Sequence, residues 1–266
     1  MIEWLTSTSN QKVKNLILLE KSKERKEQNT FVVEGWRELT IAVGAGYKFH
    51  TIFVCPDLFE KKHSLGLIEQ TLGKECKQFF INDKIFDKVA YRENSDGIIA
   101  LGTPIYNTFE SLTLTPSPLI IVLEAVEKPG NLGAVLRTAD AAKVDAVIVC
   151  DPKTDLYNPN TIRSSIGCVF SNQVICCTSD DALKWLKNKK INIYSAALPS
   201  DDFYHTIDFK KSSAIVMGTE STGLTDFWLE NCTKRIQIPM LGAIDSLNVS
   251  IATAILTFEA KRQRGF

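Results

Sequence analysis

The sequence lacks the long apolar runs and cysteine pairs that mark membrane proteins and disulfide-rich proteins. No stretch of its 266 residues approaches the roughly 20 apolar residues that a membrane-spanning helix needs. The N-terminal segment also lacks the basic-then-apolar pattern of a signal peptide. Seven cysteines form no C-x-x-C pair, which argues against a disulfide framework and against a zinc site. We therefore expect a cytoplasmic protein that does not contact a membrane.

Metal-ligating side chains and excess charge are also scarce. Only three histidines are present, and none lies near a cysteine pair, so the sequence predicts no metal site. The 31 lysines and arginines are balanced by 31 acidic residues, which argues mildly against a protein that coats nucleic acid nonspecifically. This balance is compatible with a local basic face, because six cations crowd one early segment: Lys12, Lys14, Lys21, Lys23, Arg25 and Lys26. On charge alone, a solvated helix face is the favoured interpretation of this segment.

The first hundred residues alternate between helical and strand-like patterns. Asn10 is a candidate cap for a helix that runs through Lys12 to about Glu27. Further helices are expected at 35–43, at 65–72 and from Asp83, and strands at 31–33, 51–55, 78–81 and 97–101. This alternation is typical of a small α/β domain in which helices cover a sheet.

A change of composition then separates two domains. Residues 103–118 carry three prolines, several serines and threonines, and little apolar periodicity. We therefore expect a first domain at 1–104, a linker at 105–118 and a second domain at 119–266.

The second domain shows stronger strands than the first. The continuous apolar runs at 119–123 and 146–150 are typical of a parallel sheet that is buried on both faces. Further strands are expected at 173–177, 191–196, 214–217 and 235–238, and helices at about 132–142 and 246–264. The sequence thus predicts a parallel α/β domain behind a smaller α/β domain.

One motif in this domain follows a strand and opens a helix. Residues 131–139 have the pattern N-x-G-x-x-x-R-T-A, which includes Asn131 and Arg137. Backbone N–H groups at the start of such a helix can face a ligand. The alternative is structural, with Asn131 as a helix cap and Arg137 as an arginine that extends to solvent.

Two further motifs follow later in the chain. Residues 218–224, G-T-E-x-x-G-L, form a turn directly after a buried strand, where backbone can cradle a small molecule. Residues 238–250, I-P-M-x-G-x-x-x-S-L-N-V-S, precede the last helix, which Asp245 or Ser246 would cap in a purely structural interpretation. Each motif alone is also consistent with an ordinary strand-to-helix turn.

Together, in this order and at this spacing, the three motifs resemble the SpoU (TrmH) family of RNA ribose 2′-O-methyltransferases. The resemblance covers roughly Leu119 to the C-terminus, and the first hundred residues resemble the L30e-like substrate-binding domain of many members. It implies a C-terminal trefoil knot, which is an exception to unknotted topology. It also implies a homodimer with the active site at the subunit interface.

The resemblance further implies S-adenosylmethionine as methyl donor and assigns residues to each role. Donor binding falls on Gly218, Ile238 and Leu247, with Met217, Thr219, Met240 and Ser246 nearby. The catalytic set is Arg137, Asn131, Glu220, Ser246 and Asn248. Arg137 is also expected to engage RNA, as is Arg163, which lies in an R-x-S-x-G stretch at 163–167; Lys12 and Lys14 are expected RNA contacts of the first domain.

The proton chemistry stays open at this stage. Arg137 is the family's proposed general base, yet a guanidinium is almost always protonated at neutral pH. Either its proton affinity falls in the assembled site, or Arg137 orients a phosphate and stabilises the emerging alkoxide while water takes the proton.

Three alternatives compete with this function. A nicotinamide dehydrogenase would need G-x-G-x-x-G after an early strand, whereas the first motif offers only Gly130 and Gly133. A catalytically silent RNA-binding protein of the same fold is the second alternative, and a tRNA methyltransferase is the third. Ribosomal RNA is the preferred substrate because the front domain is usual in ribosomal-RNA members.

Overall fold

The protein is divided into two α/β units. The structure is a computed structural model and describes residues 2–91, 95–200 and 202–265. The first unit comprises Met1–Ile105 and Asp155–Ser171, and the second comprises Tyr106–Thr154 and Asn172–Phe266. Among the described residues, no helix is both long enough and apolar enough to cross a membrane.

The first unit contains a mixed five-stranded sheet in the order β1-β4-β3-β5-β2. Strands β1, β4 and β3 run parallel, while β5 is antiparallel to both β3 and β2. The strands are β1 (Glu3–Leu5), β2 (Phe31–Glu34), β3 (Phe49–Val54), β4 (Lys77–Ile81) and β5 (Ile98–Gly102). The helices are α1 (Gln11–Leu18), α2 (Ser22–Glu27), α3 (Trp36–Gly44), α4 (Pro56–Phe59), α5 (Gly66–Leu72), α6 (Asp83–Val89), α8 (Pro159–Ser164) and α9 (Cys168–Ser171).

The early basic segment forms two helices, so the prediction of a single helix to Glu27 is wrong. Asn10 caps α1 as expected, since its side chain accepts a hydrogen bond from the N–H of Lys12. The guanidinium of Arg25 donates to the carbonyl oxygens of Leu19 and Glu20, each at 2.7 Å. These carbonyls are therefore occupied by a side chain at the break between α1 and α2.

An aromatic cluster explains why residues 155–171 pack with the first unit. The ring of Phe31 stacks on that of Tyr157, with centroids 5.0 Å apart, and lies 5.4 Å from that of Phe170. Tyr47 also contacts both of these rings. By its contacts, this segment groups with the front of the chain.

The second unit contains a six-stranded sheet in the order β11-β9-β10-β6-β7-β8. Every neighbouring pair is parallel, so the predicted parallel sheet is confirmed. The strands are β6 (Leu119–Glu124), β7 (Ala146–Cys150), β8 (Val174–Cys177), β9 (Asn192–Ala196), β10 (Ser213–Met217) and β11 (Lys234–Ile236). All residues of β6, β7 and β10 are buried, as expected for strands that are covered on both faces.

Helices cover this sheet, and two of them include residues of the first and third motifs. They are α7 (Pro129–Ala141), α10 (Ser179–Asn188), α11 (Asp226–Asn231) and α12 (Val249–Arg264), and α12 packs along α7. The cap residue of α7 is Lys128, and Asn131 lies in its first turn, so the structural interpretation of Asn131 as a cap is wrong. The last helix is capped by Asn248, whose side chain accepts from the N–H of Ser250, and not by Asp245 or Ser246.

The proline-rich segment between the expected domains is ordered against the second unit. Phe109 lies in a short 3₁₀ helix (Phe109–Ser111), and its ring stacks on that of Trp185 with centroids 4.9 Å apart. Backbone N–H groups of this segment also donate to Gln173 and Asp145. Residues 109–115 are therefore held against the rest of the second unit, which begins at Tyr106.

Candidate active site

A cavity of about 700 Å³ lies where three parallel strands of the second unit end. Its lining includes the residues at or just after the carboxyl ends of β9, β10 and β11, and the segment that leads into α12. Ligands of open α/β sheets bind at this edge, outside the carboxyl ends of the strands. All seven expected donor-binding residues line the cavity: Met217, Gly218, Thr219, Ile238, Met240, Ser246 and Leu247.

The turn after β10 closes tightly over Gly218. Thr219 and Gly223 exchange two backbone hydrogen bonds, of 3.0 and 3.2 Å, and Gly223 has a φ of +70°. A Cβ atom on Gly218 would overlap the carbonyl group of Gly223 and the nitrogen of Leu224. Glycine at this position is therefore required by the turn itself, and any side chain there would push the cavity wall apart.

A buried carboxylate that the sequence analysis did not single out anchors this turn. Glu124, at the end of β6, accepts hydrogen bonds from the N–H and the hydroxyl of Thr225, at 2.9 and 2.6 Å. Thr225 is the residue that precedes α11, and its hydroxyl bonds to Glu124 instead of capping the helix. Glu124 thus fixes the far end of the turn to the centre of the sheet. In the sequence, Glu124 is marked by its position directly after the apolar run 119–123.

The segment between β11 and α12 offers unpaired backbone to the cavity. Neither the N–H nor the carbonyl of Ile238 and Leu247 bonds to another residue within the described part of the chain. Backbone groups that are not paired in the protein are available to a polar ligand. The side chains of Ile238, Met240 and Leu247 are half-buried and supply apolar surface beside these groups.

Polar side chains from all three motifs meet at the rim of the cavity. The carboxylate of Glu220 accepts hydrogen bonds from Asn131 Nδ2 and from Asn248 Nδ2, the latter at 2.8 Å. Asn248 Nδ2 also lies 3.3 Å from Asn131 Oδ1. The structure therefore brings together three of the five expected catalytic residues.

Lys128, to which no sequence motif gave a role, completes this cluster. Its Nζ forms an ion pair with Glu220 Oε2. This hydrogen bond holds the pKa of the Glu220 carboxyl below its ordinary value and raises the pKa of Lys128. Glu220 is thus a carboxylate at neutral pH, and its charge orders the lysine and the two amides around it.

Two expected catalytic residues lie outside the cluster. Arg137 is exposed on α7 and forms no hydrogen bond or ion pair with the residues that the structure describes. It follows Asn131 by six residues, which corresponds to about 9 Å along the helix and about 120° around it. Ser246 lines the cavity, but its hydroxyl bonds to Asp245 Oδ1 at 3.0 Å instead of to Glu220.

The expected RNA contacts of the first unit differ in their surroundings. Lys14 and Arg163 are exposed, and the Arg163 guanidinium lies 6.0 Å from the ring centroid of Tyr91. Lys12 is partly engaged by Glu3 at 3.4 Å. Arg25, by contrast, is only 3% exposed and pairs with Asp155 at 2.7 Å, so it does not belong to a basic surface.

Comparison with known proteins assigns the fold to a family. The profile described as the SpoU rRNA Methylase family matches residues 118–258, and that of the MRM3-like substrate binding domain matches residues 10–100. The chain belongs to the SpoU rRNA methylase family. The resemblance that the three motifs carried is therefore confirmed.

Individual SpoU relatives cover nearly the whole chain. The 23S rRNA (guanosine(2553)-2′-O)-methyltransferase RlmP of Bacillus subtilis (strain 168) is 30% identical over 257 residues, which is 97% of this chain and 98% of the relative. A solved RNA 2′-O ribose methyltransferase superposes with a TM-score of 0.85 at 36% identity, covering 98% and 99% of the two chains. The AdoMet-bound rRNA methyltransferase of Sinorhizobium meliloti gives 0.89 at 28% identity, with 98% of each chain covered.

Proposed function

We propose that this protein transfers a methyl group from S-adenosylmethionine to a ribose 2′-hydroxyl of ribosomal RNA. The observation that carries the proposal is the meeting of the donor cavity with the Asn131–Glu220–Asn248 cluster at its rim. Membership of the SpoU family and the ribosomal RNA substrates named for its relatives support ribosomal RNA over tRNA.

The residues around the cavity fit the proposed donor. A volume of about 700 Å³ lies within the roughly 300–1,000 Å³ of small-molecule sites. The unpaired backbone groups of Ile238 and Leu247 can hydrogen-bond a purine edge, while the half-buried side chains provide apolar contact for its ring. When bound, S-adenosylmethionine supplies a methyl carbon that its sulfonium makes electrophilic.

The rim cluster serves to position the ribose. Asn131 Nδ2 is held by Glu220, and its Oδ1 receives only a long hydrogen bond of 3.3 Å from Asn248. An amide oxygen has two lone pairs, so Asn131 Oδ1 can still accept the hydrogen of a 2′-hydroxyl. Fixing that hydroxyl in line with the reacting carbon is the main requirement of the reaction.

Arg137 is proposed to bind RNA as a cation. A guanidinium stays protonated at neutral pH, and its planar fork matches a phosphate. We propose that Arg137 orients the phosphate next to the target ribose and stabilises the alkoxide, while water removes the proton. Its exposed position without a partner in the described structure leaves all its donors available.

We further propose a homodimer in which one subunit completes the site of the other. Ile251 and Phe258 of α12 are 52% and 41% exposed, and their spacing of seven residues places them on one face of the helix. Since Arg137 lies off the rim cluster of its own chain, it would act in the site of the second subunit. We also propose that the segment between β10 and α12 forms the trefoil knot that the family resemblance implies.

The first unit is proposed to bind structured RNA through Lys12, Lys14 and Arg163, in the cytoplasm where ribosomal RNA is found. Its match to a substrate-binding domain supports this role. The contacts would be made mainly to phosphates, which position an RNA without specifying its sequence.

The test is methyl transfer to defined RNA. The full-length protein is incubated with radiolabelled S-adenosylmethionine and either unmodified 23S ribosomal RNA or unmodified tRNA, and 2′-O-methyl sites are mapped. We expect a single ribose in the ribosomal RNA to be modified, and Asn131→Ala to abolish the signal. Modification of tRNA alone would favour the alternative substrate, and donor binding without transfer to either RNA would indicate a catalytically silent protein.

A further inference from the structure

Cations gather at the edge of the second sheet that faces away from the candidate active site. A second cavity of about 520 Å³ lies where β6, β7 and β10 begin. Three lysines from separate parts of the chain line it: Lys143 before β7, Lys210 before β10, and Lys261 near the end of α12. Because parallel strands begin at the same edge, the fold brings these positions together.

The three ammonium groups are not neutralised by the protein. None of these side-chain ammonium groups has a hydrogen-bond or ion-pair partner among residues 2–91, 95–200 and 202–265. The one carboxylate among the described lining residues is that of Asp145. Both of its oxygens already accept backbone N–H groups, from Thr115 at 2.6 Å and from Leu119 at 2.8 Å. In a chain with no net charge, this edge is therefore locally positive.

The backbone that presents these lysines is firmly held. The half-buried guanidinium of Arg264 donates to the carbonyl oxygens of Phe209 and Lys211, at 2.8 and 2.7 Å, and to that of Ser117. Gln263 adds a hydrogen bond to the carbonyl of Ile207 at 2.9 Å. The end of α12 thus fixes the loop before β10, so the lysines project from a defined frame.

The cations also form a row along the edge. Exposed lysines precede β9 (Lys190), β10 (Lys210 and Lys211) and β7 (Lys143), and these strands lie in the order β9-β10-β6-β7. Strands are about 4.8 Å apart, so the row is about 14 Å long. A row of this length matches successive charges of a polyanion, whereas a single small anion would need cations that converge on one point.

We propose that this edge, defined by Lys143, Lys210 and Lys261, binds the phosphate backbone of the substrate RNA at a distance from the methylated ribose. The inference rests on the proposed function, since it assumes an RNA substrate. Strands of five to six residues are about 17–20 Å long, which separates this edge from the candidate active site. The RNA segment bound here therefore differs from the segment that holds the target nucleotide.

The test compares two triple variants with equal loss of charge. The first is Lys143→Asn with Lys210→Gln and Lys261→Gln; Lys143 has a φ of +49°, which asparagine tolerates well. The control is Lys184→Gln with Lys187→Gln and Lys234→Gln. These three lysines also belong to the second unit, but each is already paired, with Asp180, Asn231 and Asp202 respectively.

With unmodified 23S ribosomal RNA, we expect the first variant to raise the KM for RNA about 10-fold, with kcat, melting temperature and donor affinity unchanged. The salt dependence of RNA binding should weaken by about 2 in log–log slope, the loss of three phosphate contacts. A KM and a slope equal to those of the control triple would overturn the proposal.

Two further outcomes separate the alternatives. Binding of inorganic tripolyphosphate at this edge, together with an unchanged KM for RNA, would overturn the RNA proposal in favour of a small-anion site. If the wild-type protein binds ribosomal RNA without methylating it, and the first variant still loses affinity and salt dependence, the proposed function fails while the RNA-binding edge stands.

Discussion

The side-chain amide of Asn248 joins Glu220 to the start of the last helix. Its Nδ2 donates to the Glu220 carboxylate at 2.8 Å, while its Oδ1 accepts the N–H of Ser250 at 3.0 Å. The helix N-terminus therefore determines which end of the amide faces the carboxylate. Asn248 is therefore both the cap of α12 and a residue of the candidate site, which links the folding of α12 to the geometry of the site.

Glu220→Gln should lower kcat for methyl transfer about 100-fold, the scale of a loss of positioning. The amide keeps the size of the carboxylate but removes the charge that Lys128 and the two asparagines contact. Single-turnover kinetics measures the change. Glu230→Gln, on an exposed position of α11, is the control and should transfer methyl groups at the wild-type rate.

The rate of methyl transfer should show no inflection near neutral pH that is due to titration of Glu220. The hydrogen bond from Lys128 lowers the pKa of this carboxyl, so its contacts are lost only as the pH falls through that lowered value. An ordinary glutamate already titrates near 4.3. Wild type and Glu220→Gln should therefore give pH–rate profiles of the same shape between about pH 6 and pH 8. An inflection that the substitution removes would show that Glu220 acts as the base.

Arg137→Ala should leave the melting temperature and donor affinity unchanged, because the side chain is exposed and has no partner in the described structure. Methyl transfer should fall by roughly 100-fold or more, the loss of one electrostatic contributor. Arg137→Lys should restore only part of the rate, since an ammonium lacks the planar fork. Transfer at the wild-type rate in the alanine variant would assign the role to another residue.

Gly218→Val should abolish donor binding and lower the melting temperature. Its side chain would collide with the backbone of Gly223 and Leu224, so the turn that forms the cavity wall cannot close. Calorimetry with S-adenosylmethionine and thermal unfolding measure the two effects. Gly242→Ala is the control, because a Cβ there meets no atom within 4 Å. Normal donor affinity in Gly218→Val would place the donor elsewhere.

Arg25→Ala should lower the free energy of unfolding by about 3–5 kcal/mol, because it leaves the Asp155 carboxylate without its buried partner. Urea unfolding measures this loss. Lys26→Ala, an exposed neighbour on α2, should change stability by about 0.5 kcal/mol or less. If Arg25→Ala instead kept full stability and weakened RNA binding, Arg25 would belong to the basic face after all.

Ile251→Asp combined with Phe258→Asp should give a monomer in sedimentation at micromolar concentration, since two charges would enter the proposed apolar interface. The monomer should bind the donor yet transfer methyl groups poorly. Leu67→Asp, at a similarly exposed apolar position of the first unit, is the control and should remain a dimer. A wild-type protein that is itself monomeric would contradict the proposed assembly.

Residue patterns predicted the strands of the second unit, to within one or two residues at their ends. The residues expected from the family resemblance to bind the donor line one cavity, while their role stays a prediction. Runs such as 119–123 are buried in the sheet, and such a run can be recognised from consecutive residues alone. The three motifs are local sequences, and each follows or precedes a regular element that holds it. Their meeting at one edge follows from the parallel order of the strands.

Contacts between distant residues could not be predicted in the same way. Lys128 resembles any loop lysine until Glu220, 92 residues later, is seen beside it. Likewise Arg25 lies in a run of cations whose other members are exposed, and its buried ion pair with Asp155 sets it apart from them. Both roles depend on partners that periodicity and composition do not identify.

The position of β10 between β6 and β9 affects how the protein matures. Within the described part of the chain, strand β9 pairs with β10 and β11 alone, so both of its sheet partners follow it in sequence. While the protein emerges from the ribosome, β6, β7 and β8 can associate early. In contrast, Ile193 and Tyr194 of β9 can be buried in the sheet only after the residues beyond 212 have been synthesised. Until then the edge of an apolar strand is unpaired, so we expect chains that end before this point to aggregate readily and to bind chaperones.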